Sequence, residues 1–433
     1  MRDFARSDSA AVQAQLDRLA GLSVPEGRLG LETIHALLDR LGNPHLSLPP
    51  VFHVAGTNGK GSTCAFLRAM LEAEGYRVHV TTSPHLVRYN ERIRVAGELI
   101  SDKRLAEVLA EVLDAGEDLD PSFFEVTIAA AFLEFARVPA DVCVIEVGLG
   151  GRFDATNVLT PEVLASCGIA ALGIDHERFL LAPEEGTPSE PMARIAFEKA
   201  GIAKPGVPLI TLADYPPAAR EAIGDVAKAK QAKLFEAGSD WSIDEQQGGL
   251  YRDARGSIAL PDLKLRGAHQ YRNAGLALAM IRHQHRLSVA DEALVRGMTE
   301  AGWPGRLHVL ADGPLTALVG GRSILLDGGH NRSAGEAIAQ AVGSQFHLVL
   351  GMLANKDPRS LLDPLEGRLL SLQIVPVPGH EYHGIEAFGD GAKAASDVEQ
   401  ALEAIAPDGH PILIVGSLYL AGEVLRLNDE LPD

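Results

Sequence analysis

Short apolar runs alternate with helical patterns through the first two-thirds of the chain. The runs "VFHVA" (51–55), "DVCVIEVG" (141–148) and "VPLIT" (207–211) are apolar at consecutive positions, which is typical of strands buried on both faces. "STCAFLRAMLEAEG" (62–75) instead has apolar residues at helical spacing and ends on a glycine. The same rules predict strands at 77–82 and 162–169 and helices at 123–138 and 192–201. This alternation predicts an α/β fold with a parallel sheet between helices.

The pattern changes between residues 232 and 265. Polar turns there separate short alternating stretches, which favours a small antiparallel insertion. A helical pattern returns at 269–285, and "AGWPGRL" (301–307) then places glycine, proline and tryptophan together. We interpret that segment as an interdomain hinge.

After the hinge the α/β alternation begins again. A helical pattern starts at Ser333, and apolar runs predict strands at 323–328, 346–352, 369–377 and 411–417. This part resembles a smaller Rossmann-like unit without the G-x-G-x-x-G fingerprint. We therefore expect a parallel-sheet domain over residues 1–302, in which the lysine-bearing glycine segment "GTNGKGS" (56–62) indicates a phosphate-loop ATPase, and a Rossmann-like domain over residues 303–433.

Composition and charge narrow the classes of function. The chain has 433 residues, 46% of them hydrophobic and 22% charged, with no apolar run long enough for a membrane span. The charged, amphipathic N-terminus predicts a helix and no signal peptide, so we expect a cytoplasmic protein. A net charge of −19 argues against a nucleic-acid partner. Cys64, Cys143 and Cys167 are far apart in apolar contexts, which predicts buried free thiols.

The segment "HVAGTNGKGS" (53–62) is a candidate phosphate loop. The usual pattern is G-x-x-x-x-G-K-[ST], and this chain departs from it with Val54 in place of the first glycine and Gly61 in place of the hydroxyl residue. The predicted context of strand, glycine bend and helix is the one that phosphate binding requires, because it directs backbone N–H groups at an anion.

Glu146 ends a predicted buried strand, where its carboxylate could hold Mg²⁺ beside a nucleotide. The alternative is a structural acid that caps a helix or pairs with Arg152. The following "GLGGRFDATN" (148–157) contains three glycines in four residues, which indicates a close approach of the backbone to a ligand or to another segment.

Four further places carry polar side chains next to predicted elements. "GIDHE" (173–177) follows a strand, although Mg²⁺ prefers oxygen to the imidazole of His176. The pair Glu198–Lys199 is expected on spacing alone to be solvated helix surface. "LLDGGHN" (325–331) suits contacts to a ribose or phosphate, but turn chemistry selects the same residue types. Arg306 is either an arginine finger or a surface ion pair.

Taken in order, these segments resemble one family. They are "PPVFHVAGTNGKGST", "TSPHLVRYNERIRVAG", "IEVGLGGRFDATNVL", "GIDH", "FEKAGI", "GAHQYRNAGLAL", "WPGRL", "LLDGGHN" and "GMLANKD". The sequence is similar over about residues 30–360 to the folylpolyglutamate synthase/dihydrofolate synthase family, which is related to the Mur ligases. The resemblance implies that ATP converts a carboxylate to an acyl phosphate and that the amine of L-glutamate attacks it to form an amide.

The resemblance also implies roles for individual residues. ATP binding is implied for Thr57, Asn58, Gly59, Lys60, Gly61, Ser62, Asn273, Arg306, Asp327 and His330. Mg²⁺ binding is implied for Ser83, Glu146 and His176, and Lys199 matches a lysine that the family carbamylates. Binding of the pterin-bearing substrate is implied for Phe124, Glu125, Phe153, Asp154 and Ala155, although core packing would equally explain the phenylalanines. The implied cofactors are ATP and Mg²⁺, with a monovalent cation such as K⁺ as an option. The implied substrates are dihydropteroate, reduced folates and L-glutamate, and the family default is a monomer.

Some positions depart from the family pattern. The loop 178–191, "RFLLAPEEGTPSEP", is longer and richer in proline and glutamate than the family's, which affects the approach to Lys199. Asn355 and Gly329 replace a usual Asp and Ala, and "GLSVPEGRLGLETI" (21–34) matches the pteroate-contacting segment only loosely. The hypothesis is a bifunctional ligase. A monofunctional folylpolyglutamate synthase, a Mur-type ligase, a phosphate-loop kinase or switch, and a nucleotide sensor are the alternatives.

Overall fold

The apolar runs form the strands of an eight-stranded sheet in the first of two units. A computed structural model describes residues 7–22 and 30–432. The strands are β1 (Val51–Ala55), β2 (Val78–Thr81), β3 (Ile93–Val95), β4 (Glu98–Leu99), β5 (Val142–Glu146), β6 (Leu164–Ile169), β7 (Pro208–Thr211) and β8 (Lys233–Glu236). Their order is β4-β3-β2-β5-β1-β6-β7-β8, and β2, β5, β1, β6, β7 and β8 run parallel. All residues of β1, β5 and β6 are buried, as expected for strands covered on both faces.

Helices alternate with these strands, as the sequence predicted. Up to Gly302 the described helices are α1 (Ala10–Ala20), α2 (Glu32–Arg40), α3 (Lys60–Glu74), α4 (Asp102–Gly116), α5 (Phe123–Arg137), α6 (Glu177–Leu180), α7 (Pro191–Ala200), α8 (Pro217–Ala229), α9 (Ala268–His283) and α10 (Asp291–Glu300). None of the helices in the described part of the chain has both the length and the apolar character needed to traverse a bilayer. The three cysteines are buried and free, which confirms that prediction.

Two features of the first sheet differ from the prediction. β8 was expected in the antiparallel insertion, but it pairs parallel with β7, with Leu234 opposite Leu209. It follows α8 and so completes a β-α-β crossover. The antiparallel hairpin of β3 and β4 was not predicted. Its turn uses Ala96 and Gly97 at φ 51° and 99°, a conformation that alanine rarely adopts and that sequence rules therefore miss.

The insertion itself is a three-stranded antiparallel sheet. Its strands are β9 (Trp241–Ile243), β10 (Leu250–Asp253) and β11 (Gly256–Ala259). The rings of Trp241 and Tyr251 stack with centroids 5.9 Å apart, and Asp253 accepts hydrogen bonds from Arg282 on α9. The insertion is therefore fastened to the first unit by a buried ion pair.

The second unit contains a six-stranded sheet. Its strands are β12 (His308–Val309), β13 (Ile324–Leu326), β14 (Phe346–Leu350), β15 (Leu369–Ile374), β16 (Ala392–Ala394) and β17 (Ile412–Val415), in the order β12-β13-β17-β14-β15-β16. All pairs are parallel except the edge pair of β12 and β13. The helices are α11 (Pro314–Leu318), α12 (Arg332–Val342), α13 (Pro358–Leu362), α14 (Val398–Glu403) and α15 (Leu418–Leu427).

The contacts divide the chain at more than one place. The first unit comprises Met1–Pro84, Arg88–Lys264 and Gln270–Gly302, and the second comprises His85–Val87, Leu265–His269 and Trp303–Asp433. The short segment 85–87 belongs to the second unit, although its neighbours along the chain on both sides belong to the first. Its Leu86 and Val87 pack on the core of the second unit, and a Cβ added at Gly422 would lie 1.8 Å from the Leu86 carbonyl oxygen.

Candidate active site

The loops that follow four neighbouring strands meet at one edge of the first sheet. β2, β5, β1 and β6 are adjacent and parallel, so their carboxyl ends lie side by side. The segments that leave these ends are 82–84, 147–157, 56–59 and 170–176. Ligands of such sheets bind at this edge, and most of the site residues predicted for the first domain lie on these segments or next to them.

The glycine loop ends in a helix N-terminus. Gly59 has φ 82° and precedes α3, which begins at Lys60. The first N–H groups of a helix have no intrahelical partner, and those of Lys60, Gly61 and Ser62 stand at this position, where they favour an anion. The backbone N–H groups of Thr57 and Asn58 differ, because both donate to the Ala171 carbonyl, at 2.8 and 3.1 Å.

Side chains fix the loop on two sides. The Thr57 hydroxyl donates to the Gly173 carbonyl at 2.9 Å and accepts from the Gly173 N–H at 3.1 Å, which ties the loop to the segment after β6. On the other side, a Cβ added at Gly59 would lie 2.5 Å from Asn273 Oδ1. The structure therefore brings Asn273 of α9 against the phosphate loop, and only a glycine leaves room for it.

Two lysines share one backbone carbonyl. Lys60 Nζ donates to the Gly56 oxygen at 3.0 Å, and Lys199 Nζ donates to the same atom at 2.9 Å. Lys199 is only 4% exposed, so the expectation of a solvated Glu198–Lys199 pair was wrong. Burial, assisted by the charge of Lys60, lowers the pKa of Lys199 to about 7, although Asp175 opposes the shift.

Glu146 lies at the end of β5 with its carboxylate buried. Its Oε2 accepts a hydrogen bond from the Ser83 backbone N–H at 3.2 Å, so two of the three predicted metal ligands are in contact. Burial raises the pKa of the Cys64 thiol on α3, Glu146 raises it further and Lys60 lowers it. The charges of Glu146 and Lys60 therefore both influence the thiol of Cys64, near the start of α3. Arg152 was the alternative partner of Glu146, but its ion pairs are with two other glutamates.

His176 stands at the start of α6 with φ 53°. Its side chain is 31% exposed, and its Nε2 lies 3.9 Å from Asp175 Oδ2. Within residues 7–22 and 30–432, no three acidic, histidine or cysteine side chains form a group that could hold a metal ion by themselves. Mg²⁺ needs only one or two protein carboxylates, because waters and substrate phosphates supply its other ligands.

Phe124 and Glu125 begin α5. Glu125 closes a capping box, accepting from the Ser122 N–H at 2.8 Å, so its carboxylate orders the helix start. Phe124 packs on the loop after β5, since a Cβ added at Gly148 would lie 2.4 Å from its ring. Both side chains are half-buried, and the Phe124 ring therefore lines the backbone two residues after Glu146.

Phe153, Asp154 and Ala155 lie in the loop after β5. The Arg152 guanidinium stacks 4.2 Å from the centre of the Phe153 ring. Asp154 is buried and accepts from the Leu149 N–H at 2.8 Å, and burial raises its pKa. Ala155 is buried at the start of a short 3₁₀ turn. Asp154 therefore organises its own loop in addition to any contact with a substrate.

Three predicted residues lie in the second unit, two of them just after β13 and Arg306 just before β12. Asp327 follows β13 and accepts hydrogen bonds from the N–H groups of Leu307 and Gly329, at 2.9 and 2.7 Å. Arg306 Nη1 lies 3.9 Å from Asp327 Oδ1, and His330 Nδ1 lies 3.3 Å from the Gly328 carbonyl oxygen. The unit thus presents a carboxylate, a guanidinium and an imidazole around one loop.

No family model matches the sequence, but individual relatives do. The dihydrofolate synthase/folylpolyglutamate synthase of Bacillus subtilis is 31% identical to this chain, and the match covers 92% of this chain and 94% of the relative. Its counterpart from Escherichia coli is 33% identical over 414 residues, covering 93% and 92%. The chain belongs to the dihydrofolate synthase/folylpolyglutamate synthase family.

Solved structures of this family share the fold. Escherichia coli FolC in complex with DHPP and ADP matches with a TM-score of 0.83 and 30% identity, covering 96% of this chain and 97% of that one. The Yersinia pestis bifunctional folylpolyglutamate synthase/dihydrofolate synthase complexed with AMPPNP and a Mn ion matches with a TM-score of 0.81 and 30% identity, with the same coverage. These matches confirm the predicted α/β fold class and the family.

Several residues that shape the site of this family member were not singled out by sequence reasoning. Gly56 supplies the carbonyl shared by the two lysines, and Ala171 accepts from the loop N–H groups. Their contribution comes from backbone atoms, which leave no side-chain signal. Glu184 pairs with Arg152 and lies in the loop that departs from the family pattern, so that departure was the available signal. Of the segment 21–34, which was expected to contact the pteroate, residues 23–29 lie outside the described residues.

Proposed function

We propose that this family member is an ATP-dependent ligase that joins L-glutamate to dihydropteroate, forming dihydrofolate, and that also extends reduced folates by γ-glutamyl linkage. The observation that carries the proposal is the convergence at one sheet edge of the lysine-bearing glycine loop, the Glu146 carboxylate and the buried Lys199 amine. A carboxylate becomes electrophilic only when one oxygen is turned into a leaving group, and the transferring phosphoryl group needs cations around it.

In the proposed reaction ATP binds at the N-terminus of α3. The N–H groups of Gly61 and Ser62 and the ammonium of Lys60 face the phosphates, with Thr57, Asn58 and Gly59 shaping the loop. Further contacts to ATP are proposed for Asn273, Arg306, Asp327 and His330. The carboxylate attacks the γ-phosphorus, ADP leaves, and the glutamate amine then displaces phosphate from the acyl phosphate.

The residues at the end of β5 fit a divalent cation. Glu146 offers a buried carboxylate oxygen next to Ser83, and we propose both as Mg²⁺ ligands, with His176 completing the set. Mg²⁺ supplies charge neutralisation at the phosphates when it is bound. A monovalent cation such as K⁺ remains part of the proposal for the same edge.

Lys199 is proposed as the site of carbamylation. Reaction with CO₂ needs the neutral form of the amine. Near pH 7.5 only about 0.1% of an ordinary lysine is in that form, because its pKa is about 10.5. With a pKa of about 7, roughly three-quarters of the Lys199 amine is neutral at the same pH. The carbamate would carry a carboxylate close to the phosphate loop. The proposed wall for the flat heterocycle contains half-buried aromatic rings that can stack on it. It consists of Phe124, Glu125, Phe153, Asp154 and Ala155.

Phosphate release by the purified protein tests the proposal. With ATP and Mg²⁺, we expect turnover only when dihydropteroate or a tetrahydrofolate and L-glutamate are both present, together with a product heavier by one glutamyl residue. A kinase would need one acceptor alone, so equal turnover without glutamate would eliminate the ligase. Activity with tetrahydrofolate but not with dihydropteroate would establish the monofunctional alternative. We also propose a cytoplasmic monomer, which sedimentation and cell fractionation check.

A further inference from the structure

A cleft lies beside the helix that carries Lys199. Its volume is about 520 Å³, and its walls come from the loops 149–153 and 179–185 and from Arg194 and Glu198 of α7. The second of these loops belongs to the segment 178–191, which departs from the family pattern. The segment therefore covers the face of α7 that carries Arg194 and Glu198, next to Lys199.

Four charged side chains hold the loop on the helix. The Glu198 carboxylate accepts from Arg152 Nη2 at 2.8 Å and from Arg152 Nε at 3.1 Å, and Arg194 Nη2 lies 3.0 Å from it. Glu184 of the loop accepts from the same two arginines, from Arg194 Nη2 at 3.0 Å and from both terminal nitrogens of Arg152. Each arginine therefore bridges both glutamates.

Glu184 balances the charge of this cluster. Two guanidinium groups face two carboxylates, so the four side chains sum to zero, and without Glu184 they would sum to +1. The side chains of Arg194 and Glu198 are 6% and 5% exposed, and those of Arg152 and Glu184 are 19% and 18% exposed, so water screens the excess charge only in part. An uncompensated buried charge is strongly destabilising, and Arg194 Nη1 already has no hydrogen-bond partner among the described residues. We therefore expect the cluster to rearrange when Glu184 is neutralised.

The cluster is coupled to Lys199 through tightly packed backbone. The Arg152 N–H donates to the Glu198 carbonyl at 2.8 Å. A Cβ added at Gly151 would lie 3.0 Å from the Lys199 carbonyl oxygen, and one added at Gly201 would lie 2.5 Å from the Arg152 Cα. A shift of the Arg152 backbone therefore displaces the last turn of α7, which positions Lys199 Nζ on the Gly56 carbonyl at 2.9 Å.

We propose that Glu184 is a positioning residue for the ligase reaction: it neutralises Arg152 and Arg194 and thereby holds Lys199 on the phosphate loop. The loop 178–191 is then a functional part of the site. This inference rests on the proposed function of Lys199, and the experiment must separate the two.

Glu184→Gln is the main variant, because it keeps the shape and removes the charge. Glu185→Gln is its matched control, since Glu185 lines the same cleft and is exposed. We expect kcat of Glu184→Gln to fall by between about tenfold and about a hundredfold, the range that a small misplacement costs, with KM for ATP unchanged. Glu184→Asp should recover part of kcat, and Glu185→Gln should match the wild type.

A crystal structure of Glu184→Gln supplies a readout independent of activity. We expect Lys199 Nζ to leave the Gly56 carbonyl, so that the wild-type separation of 2.9 Å is lost. An unchanged separation, or a lower melting temperature with wild-type kcat, overturns the inference. If Lys199→Ala itself retains full turnover, the proposed role of Lys199 fails. If Lys199→Ala is inactive while Glu184→Gln is fully active, only the role of Glu184 fails.

Discussion

Replacing Lys199 by methionine should stabilise the fold at low pH while removing activity. The pKa of Lys199 falls from an ordinary 10.5 to about 7, mainly through burial. Because one pH unit corresponds to about 1.36 kcal/mol, the charged amine lowers the stability of the folded protein by about 5 kcal/mol. Methionine fills a similar volume without a charge, so the variant avoids that cost.

The sign of the pH dependence follows from proton counting. Between pH 7 and 10.5 the unfolded chain holds a proton on Lys199 and the folded protein does not, so the stability of the wild type rises with pH across that window. At pH 6 the folded amine is charged and the full cost of about 5 kcal/mol applies, whereas at pH 9 about 2 kcal/mol remains. The advantage of Lys199→Met should therefore shrink by about 3 kcal/mol between pH 6 and pH 9.

Urea unfolding in CO₂-depleted buffer without nucleotide or metal measures this difference. The fluorescence of Trp241, in a Trp303→Phe background, reports on the first unit alone, because the chain contains two tryptophans. Lys204→Met is the matched control, since burial lowers the pKa of Lys204 only to about 8. The stability advantage of this variant should therefore begin to shrink only above about pH 8. An advantage of Lys199→Met that stays constant from pH 6 to pH 9 would show that Lys199 is not a buried amine with a depressed pKa.

Three other substitutions test the site and its support. Glu146→Gln should cost at least about a thousandfold in turnover, because the proposed Mg²⁺ ligand is lost, while circular dichroism stays unchanged; a loss of less than about tenfold would contradict this. Gly59→Ala should cost about 1–2 kcal/mol of strain at φ 82° and also raise KM for ATP, because the new methyl group meets a side chain. Gly75→Ala, at φ 100° in open space, should show the strain alone, so equal KM values for both variants would argue against crowding at the loop. Asp253→Asn should lower the free energy of unfolding by about 1.5–3 kcal/mol, because Arg282 loses its buried carboxylate partner and keeps only the ion pair with the exposed Asp291; thermal unfolding checks this, and a change below about 0.5 kcal/mol would refute it.

The sequence predicted the parts of the fold that depend on local patterns. The run 51–55 coincides with β1, and the predicted helix 123–138 differs from α5 by one residue. Glu146 was predicted at the end of a buried strand, and there it lies. Apolar periodicity decides these features, because a buried strand must be apolar on both faces and a helix ends where its periodicity stops.

Pairing partners were harder to predict than elements. β8 begins with the exposed Lys233 and has no fully buried residue, because it is the edge strand of the sheet. Only its connection through α8 places it parallel to β7. An edge strand of a parallel sheet therefore gives the same sequence signal as a strand of the insertion, and the pattern alone cannot separate the two.

The carbonyl of Gly56 shows why charge states are not local properties. Lys60 is four residues away along the chain, and a helix N-terminus directs such a side chain back over its own loop. Lys199 is 143 residues away and reaches the same atom only because α7 packs beneath the loop. Its burial depends on Gly151, which lets the backbone of α7 approach closely. The lowered pKa of Lys199 is therefore set by how the sheet assembles its loops. A helical Glu–Lys pair that looks like ordinary surface thus becomes a buried amine beside the glycine loop.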